Sequence, residues 1–228
     1  MVKNTISVFL AGDSTVATNY EDTFPQTGWG QMLCKFINGP VIIKNHGVNG
    51  RSTKSFIDQG RLSTILEEIT TGDFLFIQFG HNDEKDDPER HTDPDTSYKE
   101  NLKLFINAAI GRGVTPVLLS SVTRRTFGCD EKIINTHIGY SKAVSELAKE
   151  LNIAYIDLFM KSKILLEELG DEKSKELFLW LKPGEYENFK IGITDNTHFT
   201  QKGAYEIAKL VIEGIKEENI VPLSNMII

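Results

Sequence analysis

Five short apolar runs, set between helix-patterned stretches, constrain this chain more than any other feature of its sequence. They are Ile6–Ala11, Val41–Ile43, Phe74–Phe79, Val117–Ser121 and Ala154–Ile156. Each is rich in Val, Ile, Leu and Phe and is continuous rather than alternating. Such runs suit strands buried on both faces, as in a parallel sheet. Between them apolar residues recur at helical spacing: Trp29, Leu33 and Phe36-Ile37; Leu62, Ile65-Leu66 and Ile69; and the stretches Tyr98–Ile110 and Ile138–Leu151. A last helix from about Thr200 to Lys216 carries Ala204, Ile207-Ala208 and Val211-Ile212 on one stripe. Alternating β and α predicts an α/β fold, a three-layer α/β/α sandwich with a five-stranded parallel sheet and right-handed crossovers. No linker, internal repeat or low-complexity tract divides the 228 residues, so residues 1–228 are read as one domain.

Two stretches break the rhythm. Residues 84–96 are charged, carry two prolines and read as a long loop after the third strand. Residues 161–196 read as helical at first, over Ile164–Leu169 and again over Leu177–Leu181, then as a loop through Pro183-Gly184 that takes in residues 182–194.

Composition narrows the classes of function. With 40% hydrophobic and 25% charged residues the chain is an ordinary globular sequence, not a disordered or fibrous one. A net charge of −7 argues against nucleic acid and against a membrane surface as partners. The two cysteines, Cys34 and Cys129, form no C-x-x-C pair and join no His/Cys cluster, which excludes a zinc site of that type. They are read as free thiols. No apolar run approaches the roughly 20 residues of a membrane span. The first apolar segment passes into Gly12-Asp13-Ser14 without a cleavage-type site, so a cytoplasmic location is expected.

In open parallel sheets, ligands bind beyond the carboxyl ends of the strands, so the residues just after each strand carry the chemistry. After the first strand stands Gly12-Asp13-Ser14-Thr15, and after the second Asn45-His46-Gly47-Val48-Asn49-Gly50-Arg51-Ser52. Gly80-His81-Asn82-Asp83 follows the third, and Asp195-Asn196-Thr197-His198-Phe199 precedes the last helix. A serine hydroxyl needs an adjacent base to become a nucleophile. His198 can supply it, and Asp195, three residues earlier, can accept the other ring N–H and fix the tautomer. The oxyanion formed on attack needs donors placed in advance. The Ser14 and Gly50 backbone N–H groups and the Asn82 side-chain amide are the candidates. Each residue alone has a bland reading: a helix cap for Ser14, a turn for Gly50 and Asn82, a capped helix entry for Asp195 and His198. Their joint placement in four strand-end loops favours acyl transfer.

These motifs (GDST, NHGVNGRS, FGHND and DNTHF, with GWGQ at Gly28–Gln31) resemble the SGNH (GDSL-like) hydrolase superfamily, and most closely its rhamnogalacturonan acetylesterase branch. The resemblance implies a flavodoxin-like fold and a metal-free, cofactor-free carbohydrate esterase that removes O-acetyl groups from pectic chains. It carries the nucleophile to Ser14, the acid–base pair to Asp195 and His198, and the oxyanion donors to Ser14, Gly50 and Asn82. The second loop has Gly47 and Asn49 where alanines are expected in that branch. The implied partner is an acetylated oligosaccharide, and the implied assembly is a monomer or small homo-oligomer.

Several residues keep two readings. His81 offers a substrate contact or a structural hydrogen bond, and Arg51 a uronate contact or an ion pair with an acidic neighbour. Trp29 offers a core position or a sugar platform, and Arg124-Arg125 an anionic-sugar contact or a solvated loop. His46 is expected to pack within its loop, His91 to face solvent, and His137 to support a helix start. Three other functions compete. The first is an SGNH esterase acting on acetyl-xylan, small esters or lipids. The second is a metal-dependent phosphoesterase using Asp13, His81, Asn82, Asp195 and His198. The third is a flavodoxin-like binding module, against which neither G-x-G-x-x-G nor G-x-x-x-x-G-K-[ST] occurs.

Overall fold

The computed structural model describes residues 5–228. Five strands form one parallel sheet: β1 (Ile6–Gly12), β2 (Val41–Asn45), β3 (Phe74–Gln78), β4 (Thr115–Leu119) and β5 (Ala154–Ile156). Their spatial order is β2-β1-β3-β4-β5. Chain direction across the sheet therefore reverses between β1 and β3, and the loops leaving these two neighbours diverge around a crevice.

The continuous apolar runs bury both sheet faces. Val8, Leu10, Phe74, Phe76, Val117 and Leu119 point into one core, and Phe9, Ala11, Leu75, Ile77 and Leu118 into the other. Helices α1 (Trp29–Met32), α6 (Leu158–Ser174, broken at Gly170) and α7 (Gln201–Glu217) close the first core. The second is closed by α2 (Thr53–Asp58), α3 (Arg61–Glu68), α4 (Ser97–Ile110) and α5 (Tyr140–Leu151). The five predicted strands and the three-layer sandwich are thus present.

Two expectations change. Leu177–Leu181, read as helical, is the end of a 3-10 turn followed by strand β6 (Phe178–Leu181). A five-residue apolar run does not distinguish a buried strand from a helix by its period. β6 pairs antiparallel with β7 (Ile193–Phe199), the segment read as part loop, part motif. Helix α2 was not visible as a period because it is only six residues long. Ser52 caps it, its Oγ accepting from the Ser55 backbone N–H at 3.1 Å.

Cys34 and Cys129 are exposed free thiols, and His91 is exposed as expected. Among the described residues no helix is long and apolar enough to cross a membrane.

Candidate active site

The chain turns sharply where β1 ends. The Asp13 backbone carbonyl accepts from the Val16 and Ala17 N–H groups at 3.1 and 3.0 Å. The Asp13 carboxylate accepts from the Thr15 N–H and hydroxyl at 2.9 and 2.7 Å. Burial pushes this carboxyl up to about 6, against the lowering effect of those hydrogen bonds. The turn holds Ser14 at the sheet edge, 6% exposed. A floor lies beneath it. Gln78, the last residue of β3, donates to the Thr15 hydroxyl at 2.9 Å and accepts the Trp29 indole N–H at 2.7 Å. The Trp29 backbone N–H donates to the Thr15 carbonyl at 2.8 Å. Gly28 and Gly30 let α1 lie directly against this turn. A Cβ on Gly28 would sit 2.2 Å from the Ala17 carbonyl oxygen, and one on Gly30 2.5 Å from that of Val16.

Strand β7 brings Asp195 and His198 to Ser14. His198 Nε2 lies 3.0 Å from Ser14 Oγ, and His198 Nδ1 lies 2.7 Å from Asp195 Oδ2. Asp195 Oδ1 also accepts the Thr197 and His198 backbone N–H groups at 2.6 and 2.9 Å. Burial works to raise the Asp195 carboxyl, but the hydrogen bonds from His198 and Thr197 outweigh it and hold it below its ordinary value. An ionised Asp195 accepts the Nδ1–H, which leaves the Nε2 lone pair facing the Ser14 hydroxyl.

The second and third loops interlock at the same edge. Asn82 Nδ2 donates to the Arg51 carbonyl at 3.2 Å, and Asn82 Oδ1 accepts from Arg90 Nη1 at 3.3 Å. The guanidinium fixes which end of the amide is the donor, and the second Nδ2–H has no partner among the described residues. Buried Asp83 accepts from the Thr53 N–H at 3.0 Å and from the Thr92 hydroxyl at 3.0 Å, so the third loop grips the start of α2. Gly50 has φ +75°, a conformation glycine adopts at little cost, and a Cβ there would meet nothing within 4 Å. The second loop is laced to the first as well. Asn45 Nδ2 donates to the Val16 carbonyl at 2.7 Å, and Asn49 Nδ2 donates to Asn19 Oδ1 at 2.9 Å. His46, expected to pack within its own loop, instead stacks on Phe9 of β1 at a centroid distance of 5.6 Å.

Four strand-end segments are thus laced together beside Ser14, in the order read from the sequence. Residues 8–211 match the GDSL-like lipase/acylhydrolase family. The chain belongs to this family. The rhamnogalacturonan acetylesterase RhgT of Bacillus subtilis (strain 168) is 48% identical over 217 residues, covering 95% of this chain and 92% of that protein. The probable rhamnogalacturonan acetylesterase YesY of the same organism is 42% identical over 222 residues, covering 97% of each. In three dimensions the crystal structure of B. subtilis YxiM superposes with a TM-score of 0.79 at 26% identity, over 95% of this chain and 58% of that one.

Within this GDSL-like hydrolase, some predicted contacts move to other duties. Trp29 is 1% exposed, its indole spent on Gln78, so it is core and supports the Ser14 turn rather than offering a sugar platform. His81 is 3% exposed and lies 2.9 Å, Nδ1 to Nε2, from the equally buried His137, so it is withdrawn from substrate. Burial first, and then the neighbouring charges, hold both imidazoles below their ordinary value, His137 at about 3. This pair is more than the helix support foreseen for His137.

Arg124-Arg125 are not a solvated loop: Arg125 is buried, and Arg124, 18% exposed at its side chain, is held by partners within the fold. Arg124 Nε donates to Thr197 Oγ1 at 3.2 Å and Nη2 to the His81 carbonyl at 3.4 Å, and the guanidinium pairs with Glu84. Arg125 is buried against Trp180, donates to Asn196 Oδ1 at 3.0 Å and pairs with Asp171. Both arginines clamp β7, a role with no signal in the sequence because their partners lie some 40 to 70 residues away. Arg51 keeps no carboxylate partner among the described residues; its Nε donates to Gln59 Oε1 at 3.0 Å and its Nη1 to the Asn49 carbonyl at 2.9 Å.

Among the described residues no three His, Cys, Asp or Glu side chains come together in a way that could hold a metal ion.

Proposed function

We propose that this chain is a carbohydrate acetylesterase that removes O-acetyl groups from rhamnogalacturonan through an acyl-serine intermediate. One observation carries the reading: the line of hydrogen bonds from Ser14 Oγ through His198 to Asp195, at 3.0 and 2.7 Å. The names of the relatives RhgT and YesY, which align over nearly the whole chain, support the pectic substrate.

In this mechanism Ser14 Oγ attacks the acetyl carbonyl while His198 Nε2 takes its proton. Asp195 holds the imidazole in place and stabilises the imidazolium that forms. The Ser14 and Gly50 N–H groups and the free Asn82 amide N–H receive the oxyanion. Collapse expels the sugar hydroxyl, which takes the proton back from His198. Water, activated by the same imidazole, then releases acetate and restores Ser14.

Hydrolysis of nitrophenyl acetate by the wild type and by Ser14→Ala, each with and without chelator, tests the chemistry. The expected outcome is activity that survives chelator and falls by at least about 10³-fold in the variant. Activity that survives the serine change would refute the acyl-serine route, and loss in chelator would restore the metal-dependent reading. Acetylated rhamnogalacturonan fragments should then be cleaved faster than acetyl-xylan or longer-chain acyl esters. Rates that rise with acyl chain length would overturn the acetylesterase assignment.

A further inference from the structure

Beside the candidate oxyanion loop, two guanidinium groups converge without a counter-ion. Arg51 and Arg61 each donate from Nε to the same acceptor, Gln59 Oε1, at 3.0 Å. Neither forms an ion pair with a carboxylate among the described residues, whereas Arg90, Arg124 and Arg125 pair with Asp87, Glu84 and Asp171. Partial burial first, and then the Arg51 charge, lower the Arg61 guanidinium from its ordinary value. Both side chains are half-buried. Arg51 spends one further N–H on the Asn49 carbonyl. Its Nη2 and both Nη atoms of Arg61 have no partner among the described residues.

Like charges brought to one neutral acceptor repel, and the fold gains nothing from leaving them uncompensated. An open groove of about 1000 Å³ runs past Arg51, lined by Gly50, Arg51, Lys54, Asp58, Gln59 and Arg90 among others, and Arg61 is joined to this wall through Gln59. Gly50, whose backbone N–H is a candidate oxyanion donor, is part of that wall. Asp87 is answered by Arg90, and Lys54 turns its ammonium to the Pro88 carbonyl. Asp58 and Glu89 also line the groove, so its overall charge does not favour an anion; the paired arginines do so locally.

We propose that Arg51 and Arg61 form a carboxylate-binding subsite that takes a uronate residue of the sugar chain. Bridging by Gln59 holds two planar forks side by side, and guanidinium forks match a carboxylate bidentately in a way an ammonium does not. The proposal deepens the acetylesterase reading and rests on it. It assigns to Arg51 and Arg61 the discrimination between an acidic pectic chain and a neutral one.

The test uses the full chain and a ligand without an acetyl group. Deacetylated rhamnogalacturonan oligosaccharide is titrated as a competitive inhibitor of nitrophenyl acetate hydrolysis. The variants are Arg51→Gln, Arg61→Gln and the double substitution, and their melting temperatures are checked against wild type. The inhibition constant should rise about fivefold to tenfold in each single variant and further in the double. Raising sodium chloride to about 0.5 M should weaken inhibition of the wild type more than of the double variant. Oligosaccharide whose uronates are methyl-esterified should inhibit the wild type no better than free oligosaccharide inhibits the double variant. Equal inhibition constants in wild type and variants, or undiminished inhibition by the methyl ester, would overturn the subsite. Failure of the acetylesterase reading gives a separate result: Ser14→Ala stays active, or wild type releases no acetate from acetylated pectic fragments, whatever the inhibition constants.

Discussion

Asn82 shows how much of a side chain's function is set by what holds its other end. Its carbonyl oxygen faces the Arg90 guanidinium at 3.3 Å and one amide N–H faces the Arg51 carbonyl at 3.2 Å, so the amide cannot turn over without setting donor against donor. The remaining N–H is preorganised, and a donor fixed in advance costs no reorganisation when charge develops. Asn82→Ala should therefore lower kcat on nitrophenyl acetate by about 10²–10³-fold with KM little changed. Steady-state kinetics on the folded variant decides it, and an unchanged kcat would remove Asn82 from the oxyanion site. The four motifs carrying these residues were legible because each is a local string at the end of a strand. The burial of Trp29 and His81 was not, because an indole or imidazole beside a glycine reads alike whether it faces a ligand or a partner such as Gln78 or His137.

At the scale of elements, the sheet was legible and the hairpin that delivers the base was not. β1, β3 and β4 are apolar on both faces, and it is their regular recurrence between helix-patterned stretches, not their period, that marks them as buried strands. β7 reads Ile-Thr-Asp-Asn-Thr-His-Phe, polar at five of seven positions, and its strand character comes from pairing with β6 and from the clamps of Arg124 and Arg125. The short helix α1 illustrates the converse: its place is dictated by what is missing. A Cβ at Gly28 would lie 2.2 Å from the Ala17 carbonyl and 2.6 Å from the Val16 carbonyl carbon, both backbone atoms of the nucleophile turn. Backbone cannot swing aside as a flexible side chain can, so α1 or the turn must move. Gly28→Ala should cost about 1–3 kcal/mol of stability and lower kcat together with it, although residue 28 touches neither Ser14 nor His198. Denaturant titration and kinetics on the same preparation check this. Full activity with wild-type stability would show that the turn does not depend on close packing by α1.

The whole molecule balances two kinds of buried titratable groups against each other. Desolvation raises Asp83 to about 7, against its hydrogen bonds from Thr53 and Thr92, and raises Asp13 to about 6. The same desolvation lowers His137 to about 3 and puts His81 well below its ordinary value. A carboxyl whose folded pKa lies above its unfolded value of about 4 binds more proton when folded, so its contribution to stability is lost as pH rises from about 4 through 7. An imidazole whose folded pKa lies below its unfolded value of about 6.5 binds less proton when folded, so its contribution grows as pH rises from about 3 to 6.5. The two pairs oppose one another between about pH 4 and 6.5, and the histidines have no further effect above that window. Melting temperature in the wild type should therefore change little across about pH 5 to 6.5 and decline toward pH 8 as Asp83 ionises. Asp83→Asn removes one falling contribution, and its melting temperature relative to wild type should rise with pH up to about 8. His137→Gln removes one rising contribution, and its melting temperature relative to wild type should fall as pH increases from about 4 to 6.5. Differential scanning calorimetry across that range gives the slopes directly. Parallel curves for all three proteins would mean that these buried groups do not change protonation on unfolding, and that the polar layer beneath the catalytic edge is held by hydrogen bonding alone.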